Sequence, residues 1–201
     1  MSAPVQFDVF DTIKRSWPIV MANGGPLIGG GVLVILISLA ANSVPGLALL
    51  IQGPLQLGLY TVSIAAVRGQ AVRFEDLFAG FQRFVPAFLA GLLIGIFTGL
   101  GAVLCIIPGL IVSVLYAPTY LYMIDEGLDF WPAMERSRIA VWDNFVPWCL
   151  LMLGLFGLNL LGMLACCVGT FVTWPMTIVV ICLAYEQQRG TAGKATASMA
   201  V

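Results

Sequence analysis

Charge is missing from three long stretches of this chain, and nothing else constrains its fold as tightly. After Arg15 no Asp, Glu, Lys or Arg occurs until Arg68, none occurs from Phe84 to Ile124, and none from Asn144 to Tyr185. These gaps hold 52, 41 and 42 residues. A helix rising ~1.5 Å per residue needs about 20 apolar residues to cross ~30 Å of hydrocarbon. Each gap therefore has room for two crossings and a tight turn, and three gaps predict six transmembrane helices. The composition agrees: 9% of the residues are charged, against roughly a quarter in an ordinary soluble domain.

Turn signals lie near the middle of each gap: Asn42-Ser43-Val44-Pro45-Gly46, Ile107-Pro108-Gly109 and Cys167-Val168-Gly169-Thr170. Proline removes a backbone donor and glycine tolerates positive φ, so both favour reversal. The predicted helices cover 24–42, 47–67, 85–105, 109–125, 146–165 and 170–186. The fold class is all-α, a polytopic membrane bundle of three repeated hairpins (24–67, 85–125 and 146–186) in one domain over 1–186, with 187–201 as a flexible cytoplasmic tail. All nine Lys and Arg residues lie outside the three turns, and the turns carry none. By the positive-inside rule the charged side is cytoplasmic, which puts both termini there. Asp8 and Asp11 ahead of the first apolar run, with a second span close behind, argue against a cleaved signal peptide.

Amphipathic segments are expected ahead of each hairpin, at 5–17, 73–83 and 129–143. Phe74, Leu77, Phe78, Phe81 and Phe84 recur at helical spacing opposite Glu75, Asp76, Gln82 and Arg83. Val9, Phe10, Ile13 and Trp17 form a similar face, and Asp129 stands where it would cap the third segment. Such helices lie in the membrane interface, where Trp sits at headgroup depth. Trp17, Trp131 and Trp142 are candidate interface anchors, and Arg73 and Arg83 candidate contacts to anionic lipid.

The hairpins read as variants of one unit. Arg83-Phe84-Val85-Pro86 recurs as Asn144-Phe145-Val146-Pro147, and Trp17-Pro18 stands at the matching place in the first unit. Each first helix is rich in glycine. Gly91, Gly95 and Gly99 fall four apart on one face, a spacing that lets helix backbones approach closely. They predict helix packing, within the bundle or across a homodimer.

The second helices carry proline and polar side chains instead. Pro54, Pro118 and Pro175 each lie inside a predicted span, where proline kinks the helix and frees a carbonyl. Gln52, Gln56, Tyr60 and Ser63 line one face of the second span. Ser113, Tyr116 and Tyr120 line the fourth, and Thr170, Thr173 and Thr177 the sixth. Polar groups in hydrocarbon need partners, so these stripes should turn inward, for interhelical hydrogen bonds or around a shared polar cavity.

Catalytic chemistry finds little to work with. The chain has no His, no phosphate-binding glycine loop, and Cys spacing unlike a metal site. Neither an enzyme nor a resident cofactor is expected. A net charge of −1 without basic runs argues against nucleic acid as a partner; membrane lipids are the expected partners, with a homodimer or an accessory membrane protein as further alternatives. Cys105 and the Cys166-Cys167 pair should lie at the outer ends of the hairpins, as packing residues or in a disulfide.

Phe74-Glu75-Asp76-Leu77-Phe78 with Gly80-Phe81, Ile107-Pro108-Gly109, and Asp125 followed by Ala133-Met134-Glu135-Arg136-Ser137 together resemble a broad bacterial group of poorly characterised six-span membrane proteins. That group includes domains of unknown function and the membrane region of some glycerophosphodiester phosphodiesterases. The resemblance covers most of residues 50–186. It implies the fold and a place in the bacterial cytoplasmic membrane; phosphodiesterase activity in such proteins would belong to a separate soluble domain, so it implies no catalytic residue here. The expected function is a non-enzymatic bundle that organises membrane, binds lipid or supports a partner. The alternative is a transport component for a lipid or small uncharged solute, using the polar faces of the second, fourth and sixth helices.

Overall fold

The computed structural model describes residues 9–44, 46–104, 106–164 and 169–199, with side chains except at 104, 106–107 and 191–199. All the regular structure among them is helical: α1 (Val9–Ala22), a π-helical turn (Gly25–Gly29) leading into α2 (Gly30–Ala41), α3 (Leu47–Val67), a 3-10 helix (Phe74–Arg83), α4 (Phe84–Leu104), α5 (Ile106–Leu115), α6 (Thr119–Asp125), α7 (Phe130–Trp142), α8 (Phe145–Leu164) and α9 (Thr170–Met199). Three helical stretches, Leu47–Val67, Phe74–Val103 and Phe145–Leu164, are long and apolar enough to cross a membrane, and a fourth is obtained if α1 and the α2 stretch count as one bent span. The chain thus has the character of a membrane protein.

The bend between α1 and the α2 stretch is 96°. Asn23-Gly24-Gly25-Pro26 occupies it, combining glycine, proline and a π-helical turn, the usual causes of a sharp helix bend. Gly46, at φ 84°, supplies the left-handed residue of the turn into α3.

α3 is the hub. Its apolar window is 56% buried, against 22% for α8. It packs against the 3-10 helix, α4, α9 and α2, and buries Leu55, Leu59 and Val62 completely. Backbone-to-backbone contact makes this density achievable: a Cβ on Gly58 would collide with the Leu77 carbonyl, and one on Gly80 with the Pro54 carbonyl. The two later hairpins each close on a glycine pair. A Cβ on Gly101 would lie 2.8 Å from Gly109 Cα, and one on Gly169 would lie 2.7 Å from Gly162 Cα.

The lead-in segments differ from expectation in their details. Residues 73–83 form a 3-10 helix rather than an α-helix, because the Gly58 and Gly80 contacts dock its backbone directly on α3. In a 3-10 helix side chains at i and i+3 eclipse. Phe78, Phe81 and Phe84 accordingly form a ladder, with ring centroids 6.2 and 6.4 Å apart, while Leu77 and Gly80 are buried. In α1 the buried positions are Thr12, Ser16 and Val20, and Phe10 and Trp17 stay exposed. Thr12 and Ser16 face the protein there with Val20, and Ile13 and Ile19 pack partly against the core. Asp129 has extended backbone at the start of α7 but makes no side-chain capping bond.

At the far end, α9 continues helical through 187–199, where a flexible tail was expected. Packing extends past residue 186 as well. The Trp148 indole N–H donates to Gln188 Oε1 at 3.1 Å, and Gln188 Nε2 donates to the Ala140 carbonyl at 2.8 Å. Cys105, Cys166 and Cys167 lie outside the described residues.

Candidate functional site

Three polar stripes meet. A cavity of about 530 Å³ lies between α3, α4, α5–α6 and α9, and Gln52, Gln56, Tyr60, Ser113, Tyr116, Tyr120 and Thr177 all line it, together with Thr98 of α4. Ile94, Trp174, Ile178 and Ile181 supply its apolar wall. No acidic or basic side chain reaches it. Gly95, Ser113 and Trp174 are exposed, so the cavity opens on the flank of the bundle. A second cavity of about 260 Å³ shares Gln52, Gln56 and Trp174 and runs between α2 and α9 to Ser38, Thr170 and Asn42, at the charge-free turns. Ser38 Oγ donates to Gln52 Oε1 at 3.3 Å along this route. The α2 residues of the route escaped the sequence reading, although Ser38 and Asn42 fall four apart near the end of their helix.

Thr173 is not among the lining residues. Its hydroxyl faces α8, where a Cβ on Gly162 would come within 2.6 Å of it, and it has no hydrogen-bond partner. A neighbouring helix crossing at a glycine takes up this position, while Thr177, one turn on, remains at the cavity. The Thr177 hydroxyl donates to the Thr173 carbonyl and accepts from Asn159 Nδ2, both at 2.8 Å. Asn159, the one Asn within the α8 span, was overlooked; a lone amide in an apolar span was the available signal.

Gly91, Gly95 and Gly99 of α4 part company. Gly91 is at a close approach: a Cβ there would lie 2.8 Å from Gly53 Cα and 3.1 Å from the Tyr120 hydroxyl. Gly95 and Gly99 have nothing within 4 Å of that position. Helix packing within the chain is therefore a property of Gly91 alone among them; Gly95 widens the cavity instead. Spacing of four puts residues on one face but leaves open how much of that face a neighbour covers.

The floor of the cavity is built on a break. Pro118 interrupts the fourth predicted span, separating α5 from α6. Two carbonyls at the break find side-chain donors: the Tyr60 hydroxyl donates to Ala117 O at 3.2 Å, and the Ser137 hydroxyl to Leu115 O at 2.7 Å. Tyr60 and Tyr120 then face one another with ring centroids 5.5 Å apart.

Beyond this floor, at the charged end, lies a cluster of ion pairs. Asp125, outside the charge-free segment, ends α6 with its side chain only 7% exposed. It accepts from Arg68 of α3 at 2.7 Å, from Arg189 of α9, and from the Tyr185 hydroxyl at 3.1 Å. Arg68 also pairs with Glu186 at 2.5 Å. Burial acts to raise the Asp125 carboxyl, but the Arg68 hydrogen bond and charge, with Arg189 and Tyr185, outweigh it and hold the group below its ordinary value. Sequence gives no sign of this cluster, since the arginine partners of Asp125 lie 57 and 64 residues away.

Arg83 has a different task from the lipid contact expected of it. Its guanidinium donates to the carbonyls of Met123, Gly127 and Leu128 at 2.7, 3.0 and 3.1 Å, tying down the end of α6. Trp17, Trp131 and Trp142 are 51%, 57% and 62% exposed, and Arg73 is exposed as well. Among the described residues no group of His, Cys, Asp or Glu side chains is placed to hold a metal.

No family model, no curated protein and no solved structure matches this chain.

Proposed function

We propose that this protein is a non-enzymatic membrane bundle that binds an uncharged, hydroxyl- or amide-rich group, carried by a lipid or by a small solute, in the cavity between α3, α4, α5–α6 and α9. The observation that carries the reading is the lining: eight polar side chains from four walls and no charged one around about 530 Å³, a volume within the usual range for small-molecule sites. A charged ligand would lose its hydration there without gaining a counter-charge, at a cost of several kcal/mol. An uncharged group with several donors and acceptors would exchange water for Gln and Tyr partners at little cost.

In this proposal the chain crosses the membrane six times: through α2 with its π-helical lead, α3, α4, α5–α6 together, α8 and the apolar first part of α9. The charged end is cytoplasmic, by the Lys and Arg distribution. The right-angled bend before α2 supports α1 as an interfacial helix, and the resemblance noted above supports the bacterial cytoplasmic membrane. Single-cysteine variants test the orientation. A membrane-impermeant maleimide applied to intact cells should label Ser43→Cys and spare Gln70→Cys, both sites being exposed; the reverse pattern would invert the topology.

Extraction into native nanodiscs, with mass spectrometry of what remains bound, tests the ligand. The expected result is a retained uncharged headgroup or solute whose occupancy falls about tenfold in Gln56→Leu, the equivalent of one or two lost hydrogen bonds. Identical bound material in the two proteins, matching bulk lipid, would refute a specific site. Stoichiometric recovery of another membrane protein with an empty cavity would favour the accessory role.

A further inference from the structure

The cavity reaches toward one end of the bundle and is closed at the other. From Gln52 and Gln56 it continues through the smaller cavity to Asn42 in a charge-free turn. Toward the charged end it stops at Tyr60 and Tyr120. Between Tyr60 in that floor and Arg68 lie the last seven residues of α3, a rise of ~12 Å from one to the other, and the same interval on α6, from Tyr120 to Asp125, is ~7.5 Å. Ser63 and Cys182, each one helical turn beyond a lining residue, are fully buried in this layer, and the Ser63 hydroxyl has no hydrogen-bond partner. Ser63 thus places one unpartnered buried hydroxyl between the floor and the ion cluster.

α6 stands across that path as a separate piece. It is seven residues long and divided from α5 by Pro118, at a break where two carbonyls, Ala117 O and Leu115 O, take side-chain donors. Its second residue supplies Tyr120 to the floor, and its end supplies Asp125 to the cluster that joins α3 and α9. A hinge, a plug and a latch therefore occur in that order within eight residues of sequence, from Pro118 to Asp125.

We infer that the cavity is the outer half of a passage and that α6 is its inner gate, so that the protein moves its uncharged polar ligand across the membrane. The inference rests on the binding reading for the nature of the cargo, but not for the gate. When Asp125 releases Arg68 and Arg189, and Arg83 releases the Met123 carbonyl, α6 swings at Pro118, Tyr120 leaves Tyr60, and the layer around Ser63 opens to the cytoplasm. Opening breaks these bonds and uncovers Leu121 and Met123, buried in the closed state, which makes the closed state the stable one.

The test uses the full chain in right-side-out and in inverted membrane vesicles, with Gln56→Cys as reporter and a charged methanethiosulfonate as probe, read as the increment over the parent chain. With the latch intact, the reporter should react from the outer face and be protected from the cytoplasmic face. Asp125→Asn should raise the cytoplasmic-side rate at least tenfold, Arg68→Gln should do the same, and Asp125→Glu should restore protection. Continued reaction from the outer face in each variant shows that the bundle is folded. Cytoplasmic rates in both unlatched variants no higher than the parent's would overturn the gate.

Passage is read in proteoliposomes of phosphatidylcholine, by glycerol-driven swelling for a free solute and by transbilayer exchange of a fluorescent glucosyl diacylglycerol for a lipid. One of the two should rise several-fold in Asp125→Asn over the parent. No rise in either would overturn the passage, whereas the binding reading stands or falls separately on the material retained by the parent protein.

Discussion

α5–α6 and α9 start from the same plan, an apolar stretch after a glycine turn with a proline several residues in, and reach different ends. α9 runs unbroken through Pro175. α5 stops at Leu115, and α6 resumes at Thr119 after Pro118. Pro175 is the sixth residue of its helix, past the first four N–H groups that lack an intrahelical partner, so it removes a single ladder bond within the first two turns, and its ring packs on α2 beside Gly31. Pro118 falls in the middle of its span, where a lost bond has to be replaced. Tyr60 and Ser137 do so at Ala117 and Leu115. Helix continuity past a proline is thus decided by its neighbours. One second helix is a rod, and the other is two pieces held by side chains from α3, α7, α9 and the 3-10 helix.

If that contrast is sound, the variants that release α6 should matter most. Asp125→Ala removes the partner of two arginines and a tyrosine and should cost about 2–3 kcal/mol, read as loss of helicity in a denaturant titration of the detergent-solubilised protein. The same group sets an acid limb. Its carboxyl is depressed in the folded protein, so its contribution is fully present above the ordinary value near ~3.9 and is lost as pH falls through the lower folded value. Asp125→Asn should flatten that limb; an unchanged acid profile would mean that the cluster does not hold α6.

Ser137→Ala comes next. It leaves the Leu115 carbonyl buried without its donor and should cost about 1–2 kcal/mol, more than Tyr60→Phe at about 1 kcal/mol, because the Tyr60 site borders a cavity that water can enter. Equal effects would count against that distinction. Pro175→Ala should be the mildest, within about 1 kcal/mol of the parent, as expected for a helix that already runs through its proline. A large change there would erase the contrast between the two helices.

Much of this molecule was legible beforehand, and the reasons are local. A charge cannot sit unpaired in hydrocarbon, so the gaps mark the helices closely: 47–67 was expected and Leu47–Val67 is α3. Side-chain faces repeat with the helix, so the stripes through Gln52, Gln56 and Tyr60 and through Ser113, Tyr116 and Tyr120 could be drawn from spacing. Thr173 and Gly99 show where spacing stops being informative. Each lies on the expected face of its helix, but α8 crosses at Thr173 and nothing crosses at Gly99. The partners of Arg83 and Asp125 could not be drawn from spacing, because they are 40 to 64 residues away.

The sequence by itself determined the helical class, the positions of the apolar stretches, and a strong asymmetry between a charged end and a bare one. These follow from hydration energies that each residue carries wherever the chain places it. Tertiary structure alone decided that three polar stripes enclose one cavity, that Pro118 breaks its helix while Pro175 does not, and that Asp125 is buried among arginines. Those outcomes depend on which helix covers which face, and on which distant side chain reaches an orphaned carbonyl or charge. Spacing along one helix carries no record of its neighbours.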